Sequence, residues 1–141
     1  MKNYRVPTLT IAGSDSSGGA GVQADLKTFS AIGTYGMSVI TAVTAQNTEG
    51  VFAVEELSGE IIKSQIKAVF DDIEPAAVKI GMVSSPEIIV DIVNTMKKYN
   101  PSFLVVDPVM ISKSGYSLLK PEAKENLIIE KLLMIYLLKI P

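Results

Sequence analysis

Two hydrophobic periods share this chain. Residues 8–12 form a short apolar run of strand length, and residues 20–32 then place apolar side chains every three or four positions, so that Val22, Leu26, Phe29 and Ile32 share one helical face. Residues 37–45 are rich in β-branched side chains and predict a second strand. Ile61, Ile62, Ile66, Val69 and Phe70 predict a helix over 60–70, and residues 76–82 read as a third strand. Pro86 follows Ser84 and Ser85, either of which can cap, and suits the first position of a helix running to residue 99, before Pro101. Residues 103–106 read as strand four. Pro121 opens a further helix through Leu133, and the last residues begin a fifth strand. Such alternation predicts an α/β fold, a mainly parallel sheet with helices on both faces. No linker or low-complexity segment divides residues 1–141, which are expected to be one domain.

Composition narrows the chemistry. With 141 residues, 48% of them hydrophobic, the chain can bury a core, and a net charge of −2 with a lone arginine, Arg5, offers no basic field for nucleic acid or an acidic membrane. The absence of cysteine and histidine removes disulfides, thiolate nucleophiles, Cys/His zinc sites and the commonest general base. Catalysis would fall to carboxylates, lysines, hydroxyls, backbone amides or a bound metal. Pro7 and two threonines interrupt the first apolar run, unlike a signal peptide, and the run over 127–140 is too short for a bilayer and contains Glu130, Lys131 and Lys139. A cytoplasmic location is expected.

Ligands of open parallel sheets gather at the carboxyl ends of the strands. The four expected strands lead there into Gly13, Ser14 and Asp15, into Gln46, Asn47 and Thr48, into Gly81 and Met82, and into Asp107 and Pro108. The segment 13–21 holds four glycines and three serines, which lets a backbone approach a ligand closely at a helix N-terminus. Read as a P-loop it fails, because Gly19 and Ala20 stand where a lysine and a hydroxyl residue are required. Read as a dinucleotide fingerprint, Gly19, Gly21 and Ala24 fit the spacing. The turn comes too late after the strand, however, and strand two offers Gln46 in place of an acid. The third reading is a substrate loop leading into a helix that carries Asp25 near its start.

Four ordered motifs carry a family resemblance: TIAGSDSSGGAGVQADLK at 10–27, SVITAVTAQNT at 38–48, KIGM at 79–82 and DPVMISKSG at 107–115. Over residues 8–120 the chain resembles the N-terminal part of the bacterial hydroxymethylpyrimidine/phosphomethylpyrimidine kinases of thiamin synthesis, which are ribokinase-like in fold. The resemblance implies ATP-dependent transfer of a phosphoryl group, with magnesium (Mg2+), to 4-amino-5-hydroxymethyl-2-methylpyrimidine and then to its monophosphate. Pyridoxal kinase, found among close relatives, is the alternative activity. A small pyrimidine is the implied partner, with no nucleic acid or membrane, and homodimerisation is left open.

Carried over position by position, the resemblance implies that Gly13, Ala20, Asp25, Val43, Gln46, Met82 and Val109 line the pyrimidine pocket. An aminopyrimidine has a mixed donor and acceptor edge and two apolar faces. Gln46 and Asp25 can meet the edge, and Val43, Met82 and Val109 can sandwich the faces. Asp107, at the end of a buried strand, is expected on the magnesium and phosphate side, as metal-binding and catalytic carboxylate. Lys113 is expected to neutralise charge on the transferring phosphoryl group.

The family places a glycine-rich anion hole, a catalytic base and much of its ATP site in a C-terminal part beyond this length. Where it usually has a strand ending in Thr-Pro-Asn, this chain reads MIYLLKIP. The expectation is therefore a truncated domain with little kinase activity of its own, and a non-catalytic pyrimidine-binding remnant is the competing account.

Overall fold

The computed structural model describes residues 5–107. Val109, Lys113, the helix expected over 121–133 and the fifth strand lie outside the described residues. In chain order the elements are β1 (Pro7–Ala12), α1 (Gly21–Ala31), β2 (Tyr35–Ile40), β3 (Ala42–Gln46), β4 (Val51–Glu56), α2 (Gly59–Phe70), β5 (Ala77–Ile80), α3 (Pro86–Tyr99) and β6 (Phe103–Val106). Four strands form a parallel sheet in the order β2-β1-β5-β6, and β3 and β4 form a separate antiparallel pair.

Register divides the side chains of the parallel sheet between two faces. Leu9 lies beside Met37 and Val78, Ile11 beside Val39 and Ile80, and Leu104 beside Val78. These pack against Ile62, Ile66 and Phe70 of α2 and Ile88, Ile89, Ile92, Val93 and Met96 of α3 as one buried cluster. Both helices are amphipathic at the helical period, which is why they lie against the sheet. Phe70 and Tyr99 stack with ring centroids 4.4 Å apart and join α2 to α3. Ser58 caps α2, its Oγ accepting from the Ile61 N–H at 3.3 Å. Pro86 opens α3 as expected, while the side chain of Ser85 turns to Glu87 and caps no backbone N–H.

The opposite face is more polar and carries α1. Its Leu26 and Phe29 lie so close to Gly36 on β2 that a Cβ there would meet them at 3.0–3.2 Å. Thr8 and Thr10 point to this side, and their hydroxyls are bonded to Thr34 and Asp25, so the central strand is buried without unpaired polar groups. Ile32 does not share the α1 core face as expected: it is the C-cap residue and 68% exposed.

The run over 37–45 is not one strand. It breaks at Thr41, whose N–H donates to the Ala12 carbonyl at 2.9 Å, whose hydroxyl donates to the Met82 carbonyl at 2.9 Å, and whose own carbonyl accepts from the Leu57 N–H at 3.0 Å. Thr41 thus anchors the chain across the ends of β1 and β5 as it leaves the sheet. Beyond it, β3 pairs with β4, a strand the periodicity reading does not predict. Gln46 therefore ends a hairpin strand, and the carboxyl end of the sheet strand itself is at Ile40.

Candidate active site at the carboxyl ends of the strands

The loop between β1 and α1 is organised from within by Asp15. This carboxylate is 2% exposed. Its Oδ1 accepts from the N–H and hydroxyl of Ser17 at 2.8 and 2.7 Å, and its Oδ2 accepts from the N–H groups of Gly19 and Ala20 at 3.0 and 2.8 Å. Burial alone would raise the Asp15 pKa, but the bonds from Ser17, Ala20 and Gly19 together outweigh it and hold the carboxyl below its ordinary value. The backbone donors that a phosphate would seek ahead of α1 are thus already satisfied by the chain's own anion. The loop is therefore filled from within and is not an open phosphate cradle.

Two further sets of contacts set the loop's position. Gly21 takes φ +58° and its Cα sits against the Gly13 carbonyl, where a Cβ would come within 2.3 Å. Along β3, the Ser14 N–H donates to the Ala42 carbonyl at 2.8 Å, the Thr44 hydroxyl donates to the Ser14 carbonyl at 2.8 Å, and Ser16 Oγ bonds both backbone groups of Gln46. The hairpin is thereby fastened to the loop.

A second polar group lies on the α1 side of the sheet. Asp25 Oδ2 accepts from the Thr10 hydroxyl at 2.6 Å, and Lys79 Nζ donates to Asp25 Oδ1 and Oδ2 at 3.0 and 2.9 Å. The same ammonium stands 3.9 Å from Asp107 Oδ2, at the end of β6. Asp25 and Lys79 are largely shielded, with side chains 17% and 24% exposed, whereas Asp107 is 56% exposed and faces solvent.

These contacts place most of the candidate residues. Gly13 and Met82 come together, since a Cβ on Gly13 would lie 2.4 Å from Met82 Cε. Ala20 is the N-cap residue of α1, bonded to Asp15 and exposed. Gln46 is half-buried with its backbone held by Ser16, and its side-chain amide makes no hydrogen bond among the described residues. Val43 stands apart from it. Alternation along β3 turns Val43 and Ala45 to an exposed face while Thr44 is buried against the loop.

Three residues of the site escape the sequence reading of single positions: Asp15 as the loop's internal anion, Thr41 as the anchor where the chain leaves the sheet, and Lys79 as the link between two carboxylates. Lys79 had a usable signal. A lysine inside the short apolar strand of β5 must be paired to be tolerated there.

The family model described as "Phosphomethylpyrimidine kinase" matches residues 15–141. The chain belongs to the phosphomethylpyrimidine kinase family. It is 57% identical over 133 residues to the hydroxymethylpyrimidine/phosphomethylpyrimidine kinase of Rhizobium meliloti (strain 1021), covering 94% of this chain and 49% of that protein. The chain spans about half the length of the curated relatives it matches. Among solved structures it is similar to the phosphomethylpyrimidine kinase of Clostridium difficile 630, with TM-score 0.81 and 82% identity over 87% of this chain and 53% of that one. It is also similar to Bacillus subtilis pyridoxal kinase solved as an ADP complex, with TM-score 0.74 and 38% identity over 87% of this chain and 47% of that one. The fold is thus the ribokinase-like α/β fold that the motifs imply, present in part. Among the described residues no helix is long and apolar enough to cross a membrane.

Proposed function

We propose that this chain is the pyrimidine-binding portion of an ATP-dependent kinase that phosphorylates 4-amino-5-hydroxymethyl-2-methylpyrimidine and its monophosphate in thiamin biosynthesis. The observation that carries the reading is that the carboxyl ends of β1, β5 and β6 carry both the Gly13–Met82 contact and, on the α1 side, the Asp25–Lys79–Asp107 chain, in a member of this family. Gly13 and Met82 supply close apolar contact for a flat ring, Asp25 supplies an acceptor for its amino group, and the amide of Gln46, unbonded among the described residues, suits its mixed edge. Ala20, Val43 and Val109 belong to the proposed lining.

On the phosphate side the donor set fits magnesium in one respect. Magnesium is usually held by one or two carboxylates together with substrate phosphates, and Asp107 offers one exposed carboxylate there. Bound magnesium would offset phosphate charge. Lys113, outside the described residues, is assigned to the transferring phosphoryl group.

We also infer that residues 1–141 form a single incomplete domain acting in the cytoplasm on small molecules, with no nucleic-acid or membrane partner and with homodimerisation open. The likeness to Bacillus subtilis pyridoxal kinase favours pyridoxal as a second substrate reading. Pyrimidine binding without turnover by residues 1–141 alone is a third.

Calorimetric titration with hydroxymethylpyrimidine and with pyridoxal, each with and without ATP and magnesium, separates these readings when paired with a coupled phosphorylation assay. Pyrimidine binding with little turnover is the expected result. Ordinary turnover by the 141-residue chain would overturn the assignment of essential catalytic parts to a missing segment.

A further inference from the structure

Lys79 has register partners Thr10 on β1 and Val105 on β6, so its side chain leaves the sheet on the face that carries α1. Placing an ammonium there costs desolvation that a methionine or leucine would not, and a shielded ion pair is by itself weak evidence of a stabilising role. Its geometry serves another end. Bonds to both oxygens of Asp25, with Thr10 on Oδ2, fix the plane of that carboxylate and leave one acceptor position, on Oδ1, unused among the described residues. The same ammonium reaches toward Asp107 on a different element, at 3.9 Å.

We propose that Lys79 is a positioning residue that fixes the carboxylates of Asp25 and Asp107 relative to one another. A pyrimidine held by Asp25 then presents its hydroxymethyl group toward the phosphate side marked by Asp107. The functional half of this statement rests on the kinase reading above. The geometric half does not.

The test uses the 141-residue chain and its Lys79→Met, Lys79→Gln and Lys79→Arg variants, with folding followed by circular dichroism. In isotopically labelled protein, a scalar coupling through the hydrogen bond is expected between Lys79 Nζ and the Asp25 carboxyl carbon. In Lys79→Met the carboxyl carbon signals of both Asp25 and Asp107 are expected to move. Calorimetry with 4-amino-5-hydroxymethyl-2-methylpyrimidine is expected to show affinity about tenfold or more weaker in Lys79→Met and largely recovered in Lys79→Arg. Lys79→Gln replaces the methionine variant if that one unfolds. Absence of the coupling, or an unmoved Asp107 signal, overturns the proposal. So does a lowered melting temperature with unchanged affinity, which identifies a structural role alone. If the unaltered chain fails to bind the pyrimidine, the kinase reading falls, and the carbon signals still decide whether Lys79 joins the two carboxylates.

Discussion

Gln65 on α2 pairs with Ile40 at the end of β2 as a neighbouring strand would: the Ile40 N–H donates to Gln65 Oε1 at 3.0 Å, and Gln65 Nε2 donates to the Ile40 carbonyl at 3.1 Å. Among the described residues β2 is an edge strand of the parallel sheet, so these backbone groups have no strand partner there on that side. One side chain closes the edge at the residue before the chain turns into the hairpin. Gln65→Leu keeps the bulk and removes both bonds. Chemical denaturation is expected to show a loss of about 1–2 kcal/mol, because the half-buried Ile40 groups are left partly unsatisfied. A variant as stable as the original would show that water replaces the amide at no cost.

The Asp15 cage ties stability to pH. Its native pKa is held below the ordinary value, so its contribution is fully present above the unfolded-state pKa of about 3.9 and is lost as pH falls through the lower native value. Urea midpoints measured from pH 7 downward are expected to fall on the acid side. In Asp15→Asn that part of the decline should flatten, with a lower plateau at neutral pH because one acceptor oxygen becomes a donor facing N–H groups. Parallel curves for the two proteins would remove Asp15 from the acid response.

Gly21 and Gly33 both take positive φ, at +58° and +83°, but in different surroundings. A Cβ at Gly21 meets the Gly13 carbonyl oxygen at 2.3 Å, whereas at Gly33 nothing lies within 4 Å. Gly33→Ala is expected to cost about 1–2 kcal/mol, from backbone strain alone. Gly21→Ala should cost clearly more, since backbone must also move and the loop carrying Asp15 is displaced with it. Equal losses in thermal or urea unfolding would mean that the close approach at Gly21 is relieved without cost.

What the sequence shows and what it hides follow from the range of the interactions involved. The helices α2 and α3 are visible because Ile62, Ile66, Ile88 and Ile92 are local in period and Pro86 marks a start. The hairpin is hidden because β-branched alternation runs unbroken through Thr41, while the bend there is set by Ala12, Leu57 and Met82, far away in sequence. Asp25 is visible through its motif, but its partner Lys79 is 54 residues away and is found only once register puts β5 beside β1. Asp15 reads as one polar residue among serines until its four donors are seen.

Gly13 and Met82 allow the pocket reading to be tested apart from folding. A Cβ on Gly13 would overlap Met82 Cε, the far end of a flexible side chain, and Gly13 does not have positive φ. Gly13→Ala should therefore fold with little loss of stability, because the methionine can rotate away. If both residues line the pyrimidine site, that rotation pushes the thioether into the ligand's space, and affinity for hydroxymethylpyrimidine should fall about tenfold. Gly13→Ala with Met82→Ala should recover part of that loss, because the shortened side chain vacates the space. A double-mutant cycle by calorimetry measures the coupling. Additive effects would mean that the two residues do not share the ligand, and the ring would then have to lie elsewhere along the strand ends.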